Sequence, residues 1–323
     1  EVIGYFLSGP DADFLTLNNN TVSLDANPDF EMKSSYSFEV TVNDAEGDIS
    51  EIQVVTFSII DVDETPAFVL NFCENGFAGE YPCNNYDLIG HIDLNTLGAN
   101  SGNDCWGWTD PATGKEYALM GLNTGTSFID ISDLEFPRIV GFLPTHTTSS
   151  SWRDIKTYGN YAFIVSEASN HGMQVFDLTR LTSVGSDVPP VTFTEDAHYN
   201  GFGKAHNIVI NETQGYAYAV GTNTYSGGPH FVNISNPLNP VSESGYGNDA
   251  YSHDAQVVTY NGPDTDYTGK EILIGSNQNE VVIVDVTDKT NPTQIATINY
   301  PNIGYTHQGW FTEDQSYFIL GDE

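Results

Sequence analysis

Basic residues are scarce in this chain: nine lysines and arginines stand against 44 aspartates and glutamates, a formal net charge of −35 over 323 residues. A field of that sign repels phosphate backbones and anionic lipid, which excludes nucleic acid and acidic membranes as partners. It attracts cations, calcium above all, and it suits a salty medium in which dense carboxylates are screened. Methionine is rare too, with three residues. There is no run of about 18 apolar residues, so no helical segment here is long enough to cross a bilayer. Nor can an amphipathic helix of four turns be traced. With helices set aside, 18 Tyr, 18 Phe and 30 Gly fit many short strands joined by tight turns.

Three cysteines are too few for a disulfide framework. Cys73 and Cys83 lie close together in CENGFAGEYPC, a Gly-rich loop that one bridge would staple. Cys105, inside CWGW, is expected as a buried free thiol. One local bridge fits an exported protein, secreted or held at the cell surface. No signal peptide is visible, and the chain opens in mid-pattern. A nucleophile elbow, a phosphate-cradling Gly loop, a zincin helix and a Cys-x-x-Cys pair are all missing, which weighs toward a binding protein and against an enzyme.

What is present is repetition. From Ser252 to Trp310 three β-rich runs (AQVVTY, KEILIGS, EVVIVDV) and a weaker fourth (QIATIN) are separated by Gly, Asn, Asp and Pro, and then the opening theme returns. Four short antiparallel strands and a restart describe one blade of a β-propeller. Second strands recur as GKEYALMG, GNYAFIVSE, GYAYAVG, GKEILIGS and QSYFILGD, and third strands as TSFIDIS, MQVFDLT, HFVNIS and VVIVDVT. The pairs Asp130/Ser132, Asp177/Thr179, Asn233/Ser235 and Asp285/Thr287 read as turn chemistry. Four full repeats and the start of a fifth are visible, and the domain is expected to continue beyond Glu323. The predicted fold is all-β: a small β-sandwich over 1–67, a linker over 68–100 with the Cys73–Cys83 loop and a strand in NYDLIGHIDL that closes a blade, and a propeller over 101–323.

Aligning first-strand starts gives Trp106-Gly107, Arg153-Asp154, His206-Asn207, His253-Asp254 and His307-Gln308, at spacings of 47, 53, 47 and 54 residues. Innermost strands converge on one mouth of the channel, so His206, His253 and His307 are predicted to be neighbours. Three readings follow: a plug of mutually hydrogen-bonded side chains, a funnel gripping a polar ligand through Arg153, the histidines and Trp106, or a transition metal held by imidazoles with Asp154 and Asp254. His171 is expected to join the mouth, His146, His198 and His230 to lie in loops, and His91 on a strand face. Asp264 and Asp266 in NGPDTDYTGKE suggest a calcium loop or a plain turn.

Within 1–67 the acidic residues gather in four places. The order DAD, PDFE, SYSFEVTVNDAEG, DVDETP resembles a bacterial cadherin-like repeat. That resemblance implies calcium at both ends, with Asp11, Asp13 and Asp44 facing a preceding repeat and Asp29, Glu31, Asp61 and Asp63 facing the next domain. CENGFAGEYPC, WGWTDPATGKEYALMGL, SWRDIKTYGNYAFIVSEASNHGMQVFDL, AHNIVINE, HDAQVVTYNGPDTDY and GYTHQGW look like the choice-of-anchor B family, whose propeller is built of LVIVD-type repeats. This resemblance implies a secreted or surface-anchored bacterial protein and no established activity. The expected function is therefore a calcium-binding adhesion or ligand-binding protein, the first module a spacer and the propeller a head for surface proteins, glycans or its own kind. The alternatives are a metal-dependent enzyme at the mouth and a structural subunit of a filament.

Overall fold

The structure is a computed structural model. It describes residues 2–25, 28, 30, 33–44, 46, 49–60, 71–134 and 136–323, the side chains of residues 2, 3 and 44 excepted. The chain divides into two compact units, Glu1–Thr65 and Pro66–Glu323, close to the boundary expected from the acidic DVDETP run.

The first unit holds a three-stranded antiparallel sheet in which Ser35–Asp44 pairs with Val2–Ser8 on one side and Gln53–Ser58 on the other, and a hairpin of Leu15–Asn18 with Thr21–Leu24. Alternation on the central strand sends Tyr36 and Phe38 inward, where Tyr36 stacks on Phe57 and meets the edge of Phe14.

The second unit repeats one plan. Blade one is Gly102–Thr109, Glu116–Leu122, Gly125–Asp130 and Arg138–Pro144; blade two is Arg153–Tyr158, Tyr161–Ser166, Met173–Asp177 and Ala197–Tyr199. Blade three is Asn207–Asn211, Tyr216–Val220, His230–Asn233 and Val241–Gly245; blade four is Asp254–Thr259, Glu271–Ser276, Val281–Asp285 and Thr293–Ile298. Thr306–Phe311 and Phe318–Asp322 begin a fifth. Every pairing among these strands is antiparallel, and successive first strands lie against one another. This is the arrangement of β-propeller blades, and the fold is all-β as the repeats predict.

The period of two in each strand builds the core between blades. On one strand of blade two, Ala162 and Ile164 pack toward blade one with Phe128 and Val140, while Phe163 and Val165 pack toward blade three with Ile208 and Ala219. The same logic sets Tyr218 and Phe231 against Leu273 and Val284 of blade four. The Asx-type turns form as expected: Asp130, Asp177, Asn233 and Asp285 each accept the backbone N–H two residues on, at 3.0–3.1 Å.

Three expectations are corrected. NYDLIGHIDL forms no strand in a blade; among the described residues its only ladder contact is the isolated bridge of Leu88 to Asn71. The strand that joins a blade from elsewhere is instead Val191–Thr192, which adds to blade one in parallel. Cys105 is exposed, because it points from the face of its strand opposite to the one that packs on blade two. His198 and His230 sit on strands, and His91 lies outside any strand, its ring against Tyr81. The Cys73–Cys83 bridge is present and closes a small hairpin loop.

Candidate functional site

Equivalent positions follow from the ladder itself. Trp108, Tyr158, Asn211 and Val258 each pair with the second-strand residue that in turn pairs with the Asx-turn residue of the third strand. Four residues earlier stand Asp104, Asp154, Asn207 and Asp254, and two earlier Trp106, Lys156, Val209 and Gln256. The alignment of Trp106-Gly107 with Arg153-Asp154 is therefore corrected: Asn103-Asp104 is the equivalent pair. The register irregularity between Gly102 and Cys105 displaces the start of this strand, and sequence spacing does not reveal it.

These first strands are stitched sideways. Asn103 Oδ1 accepts Arg153 N–H at 2.6 Å, and Asp154 Oδ2 accepts Ile208 N–H at 2.7 Å. Asn207 Nδ2 donates to His253 O at 3.0 Å, and Gln256 Oε1 accepts Phe311 N–H at 2.7 Å. At each of these boundaries a polar side chain thus satisfies a main-chain group that a radial sheet leaves open at its inner edge.

Asp104, Trp106, Lys156, Asp254, Gln308 and Trp310 line a cavity of about 520 Å³ along this inner edge. A smaller recess of about 130 Å³, bounded by Trp106, Lys156 and Gln256, adjoins it. Lys156 is the only cation among them. Its Nζ bonds Asp154 Oδ1 at 2.5 Å, lies 3.4 Å from Asp104 Oδ2 and sits 4.6 Å over the Trp106 ring. Burial alone lowers an ammonium pKa, but here Asp154 and Asp104 outweigh it and the group is raised. Burial pushes the Asp254 carboxyl up. The cavity therefore combines two indoles, a clamped ammonium, a carboxyl whose pKa burial raises and an amide.

Of the predicted mouth residues, Asp254 and Gln308 line this cavity. Asp154 is buried beneath it with both oxygens engaged, and Asn207 is spent on the stitch to blade four. Arg153 faces away, between blades one and two: fully buried, it donates to Leu122 O, Thr145 Oγ1 and His171 Nε2. His171 is buried with it rather than at the mouth. Burial, then the Arg153 charge, lowers its pKa to about 4, and it serves as a neutral acceptor. Sequence reasoning missed Asp104, Lys156 and Trp310, because the hairpins between first and second strands differ in length, nine residues from Trp108 to its partner Tyr117 but three from Tyr158 to Tyr161.

His206, His253 and His307 are neighbours, as the repeat spacing predicts. Their rings step along the strand starts at 4.2 and 4.3 Å between centroids. The planes are tilted by 50° and 34° from one ring to the next. His206 Nδ1 bonds Glu167 Oε1 at 2.8 Å, and His253 Nδ1 donates to His307 O at 2.8 Å. Among the described residues, the one group of three His, Cys, Asp or Glu side chains whose ligand atoms all lie within 4.8 Å of one another is elsewhere: His146, Glu195 and His198.

Of the cadherin-like positions, Asp11, Asp13 and Asp44 lie among the described residues. Asp11 is buried, with Oδ2 accepting Ser37 N–H at 2.7 Å and Oδ1 paired to Lys33 at 2.9 Å. The Lys33 hydrogen bond, then that of Ser37, holds its carboxyl below the usual range. Asp13 is exposed on the turn Ala12–Phe14. Asp44 ends its strand, its side chain not described, and Asp29, Glu31, Asp61 and Asp63 lie outside the described residues. Asp264 caps the short turn Thr265–Tyr267 by accepting Asp266 N–H at 3.2 Å, the plain-turn alternative for that loop.

No protein-family model matches the chain, and no curated protein matches it. Among solved structures it is similar to a functionally unknown protein from Desulfotomaculum acetoxidans, at 14% identity and a TM-score of 0.48, over 71% of this chain and 64% of that one, which is less than two thirds of its length. It is similar to the hydrazine synthase of Kuenenia stuttgartiensis at 12% identity and a TM-score of 0.42, over 88% and 67% of the two chains. A quinonprotein alcohol dehydrogenase-like protein from Bacteroides thetaiotaomicron shares 12% identity at a TM-score of 0.26, over 89% and 85%.

Proposed function

We propose that this protein is an extracellular binding protein of the choice-of-anchor B kind, whose propeller is the head and whose ligand is hydroxyl-rich, of the glycan class. The observation that carries the reading is the composition of the 520 Å³ cavity. Trp310 offers exposed indole surface and Trp106, under the Lys156 ammonium, adds a second indole, while Asp104, Asp254 and Gln308 offer planar polar groups suited to paired hydroxyls. A few convergent polar groups on an apolar wall are what a small-ligand site requires. The Cys73–Cys83 bridge supports an oxidising compartment, and the net charge of −35 supports a salty exterior. In this reading the first module binds calcium through carboxylates of its acidic clusters and acts as the spacer.

Titration of the full chain with a panel of soluble oligosaccharides, followed by calorimetry, tests the head. Saturable one-to-one heat with some member supports it; silence across neutral, amino and acidic sugars counts against it. For the spacer, calcium is expected to raise the melting temperature of the first unit, and a melt indifferent to chelator removes calcium from the account.

A further inference from the structure

We infer that His146, Glu195 and His198 form a binding site for a first-row divalent transition ion at the junction of blades one and two. Two imidazoles and one carboxylate make a mixed nitrogen and oxygen donor set of the kind zinc, iron and cobalt take with open positions left for water or ligand. Their ligand atoms lie within 4.8 Å of one another.

The chain builds this place deliberately. His146 follows the fourth strand of blade one. The segment from Val191 leaves a parallel pairing with that strand at Gly141 and Phe142, then crosses to become the outer strand of blade two at Ala197–Tyr199. Glu195 and His198 are therefore carried across the blade boundary to meet His146. Two glycines let the segment lie so close. A Cβ on Gly141 would meet Val191 O at 2.4 Å, and one on Gly172, whose φ is +64°, would meet Tyr199 O at 2.3 Å.

Second contacts prepare the donors. His198 Nε2 faces His171 O at 2.6 Å; a carbonyl only accepts, so Nε2 carries the hydrogen and the neutral ring keeps its lone pair on Nδ1. Holding the far ring nitrogen on a backbone carbonyl is how metal-binding histidines are commonly oriented. Glu195 uses Oε1 toward His146 Nδ1 at 2.8 Å, whereas its Oε2 is shut off from solvent with no hydrogen-bond partner. A desolvated carboxylate oxygen left unpaired is costly, and a cation beside it removes that cost. His146 and Glu195 also border an open cavity of about 300 Å³, which gives an ion a way in. The His146 and His198 rings stack at 3.7 Å with 8° between their planes, so their in-plane lone pairs lie in nearly parallel planes. Sharing one ion requires a ring to turn, and His146, a third exposed on its loop, has the room.

The test uses Co²⁺ alone as probe, added to the chelator-treated full chain and read by visible absorption and calorimetry. One equivalent is expected, with a ligand-field band that weakens at least about tenfold in affinity in H146A and in E195Q. H146A changes an exposed loop residue, and its melting curve verifies that it folds. H253A, in the separate row of His206, His253 and His307, is expected to bind Co²⁺ as the parent does. Absence of stoichiometric Co²⁺, equal affinity in H146A and E195Q, or loss in H253A instead would each overturn the assignment.

Discussion

Asp154 and Ile208 hold blade two to blade three: the carboxylate Oδ2 accepts the backbone N–H across the blade boundary at 2.7 Å, while Oδ1 takes Lys156 Nζ at 2.5 Å. One buried side chain thus closes a sheet edge and neutralises the cation that shapes the cavity wall.

Replacing it exposes both dependencies. Asp154→Ala leaves an ammonium buried without its main partner and an amide without an acceptor, and the expected loss is about 3–5 kcal/mol by urea denaturation. Asp154→Asn, which keeps an acceptor for Ile208, is expected to lose less. Equal stability in the Ala variant would mean that the contact is incidental.

Two buried histidines set an acid limit. Burial lowers His171 and His230 to about 4 from an ordinary 6.5, with Arg153 adding to the effect at His171. Unfolding frees each ring to take a proton, so the unfolded chain binds more protons in that window. Stability is then complete above pH 6.5, falls as the pH drops toward about 4, and levels below it, each ring contributing on the order of 3 kcal/mol. His253, also depressed by burial, acts in the same direction. Melting temperatures measured down this range should decline, and H230Q should show a shallower decline; a flat profile would show that these rings are protonated in the fold.

Gly141 gives a steric prediction. A methyl group there meets Val191 O and the Phe193 ring, both at 2.4 Å, so G141A must push the crossing segment off blade one. A loss of about 1–3 kcal/mol is expected, together with weaker Co²⁺ binding, because Glu195 and His198 ride on that segment. Parent-like melting and Co²⁺ affinity would show that the close approach is dispensable.

The repeats were legible because each full blade spends the same residues on the same turns: Asp130, Asp177, Asn233 and Asp285 mark equivalent ends, and Gly114, Gly159, Gly215 and Gly269 precede the second strands. The histidine row was legible for the same reason, since spacings of 47 and 54 residues carry His206, His253 and His307 to one level. Asp104 was hidden by the register irregularity at the start of its strand, which shifts the apparent repeat. Arg153 was misplaced because strand alternation sends it and Asp154 to opposite neighbours, a distinction that spacing alone does not make. The His146, Glu195 and His198 group was invisible for a deeper reason. It depends on one segment leaving blade one for blade two, an event that occurs outside the repeat and leaves no periodic trace.

The claim that the inner cavity is the binding site rests most directly on Trp310, half exposed on the first strand of the fifth blade and lining the cavity together with Trp106. The decisive measurement is the affinity of a bound oligosaccharide for the parent, W310A and D254N, with W152A, an equally exposed indole outside the cavity lining, for comparison. Loss of one stacking indole is expected to weaken binding about tenfold or more, D254N to weaken it as well, and W152A to leave it unchanged. Equal affinity in W310A and D254N, or loss confined to W152A, would place the ligand elsewhere and contradict the account.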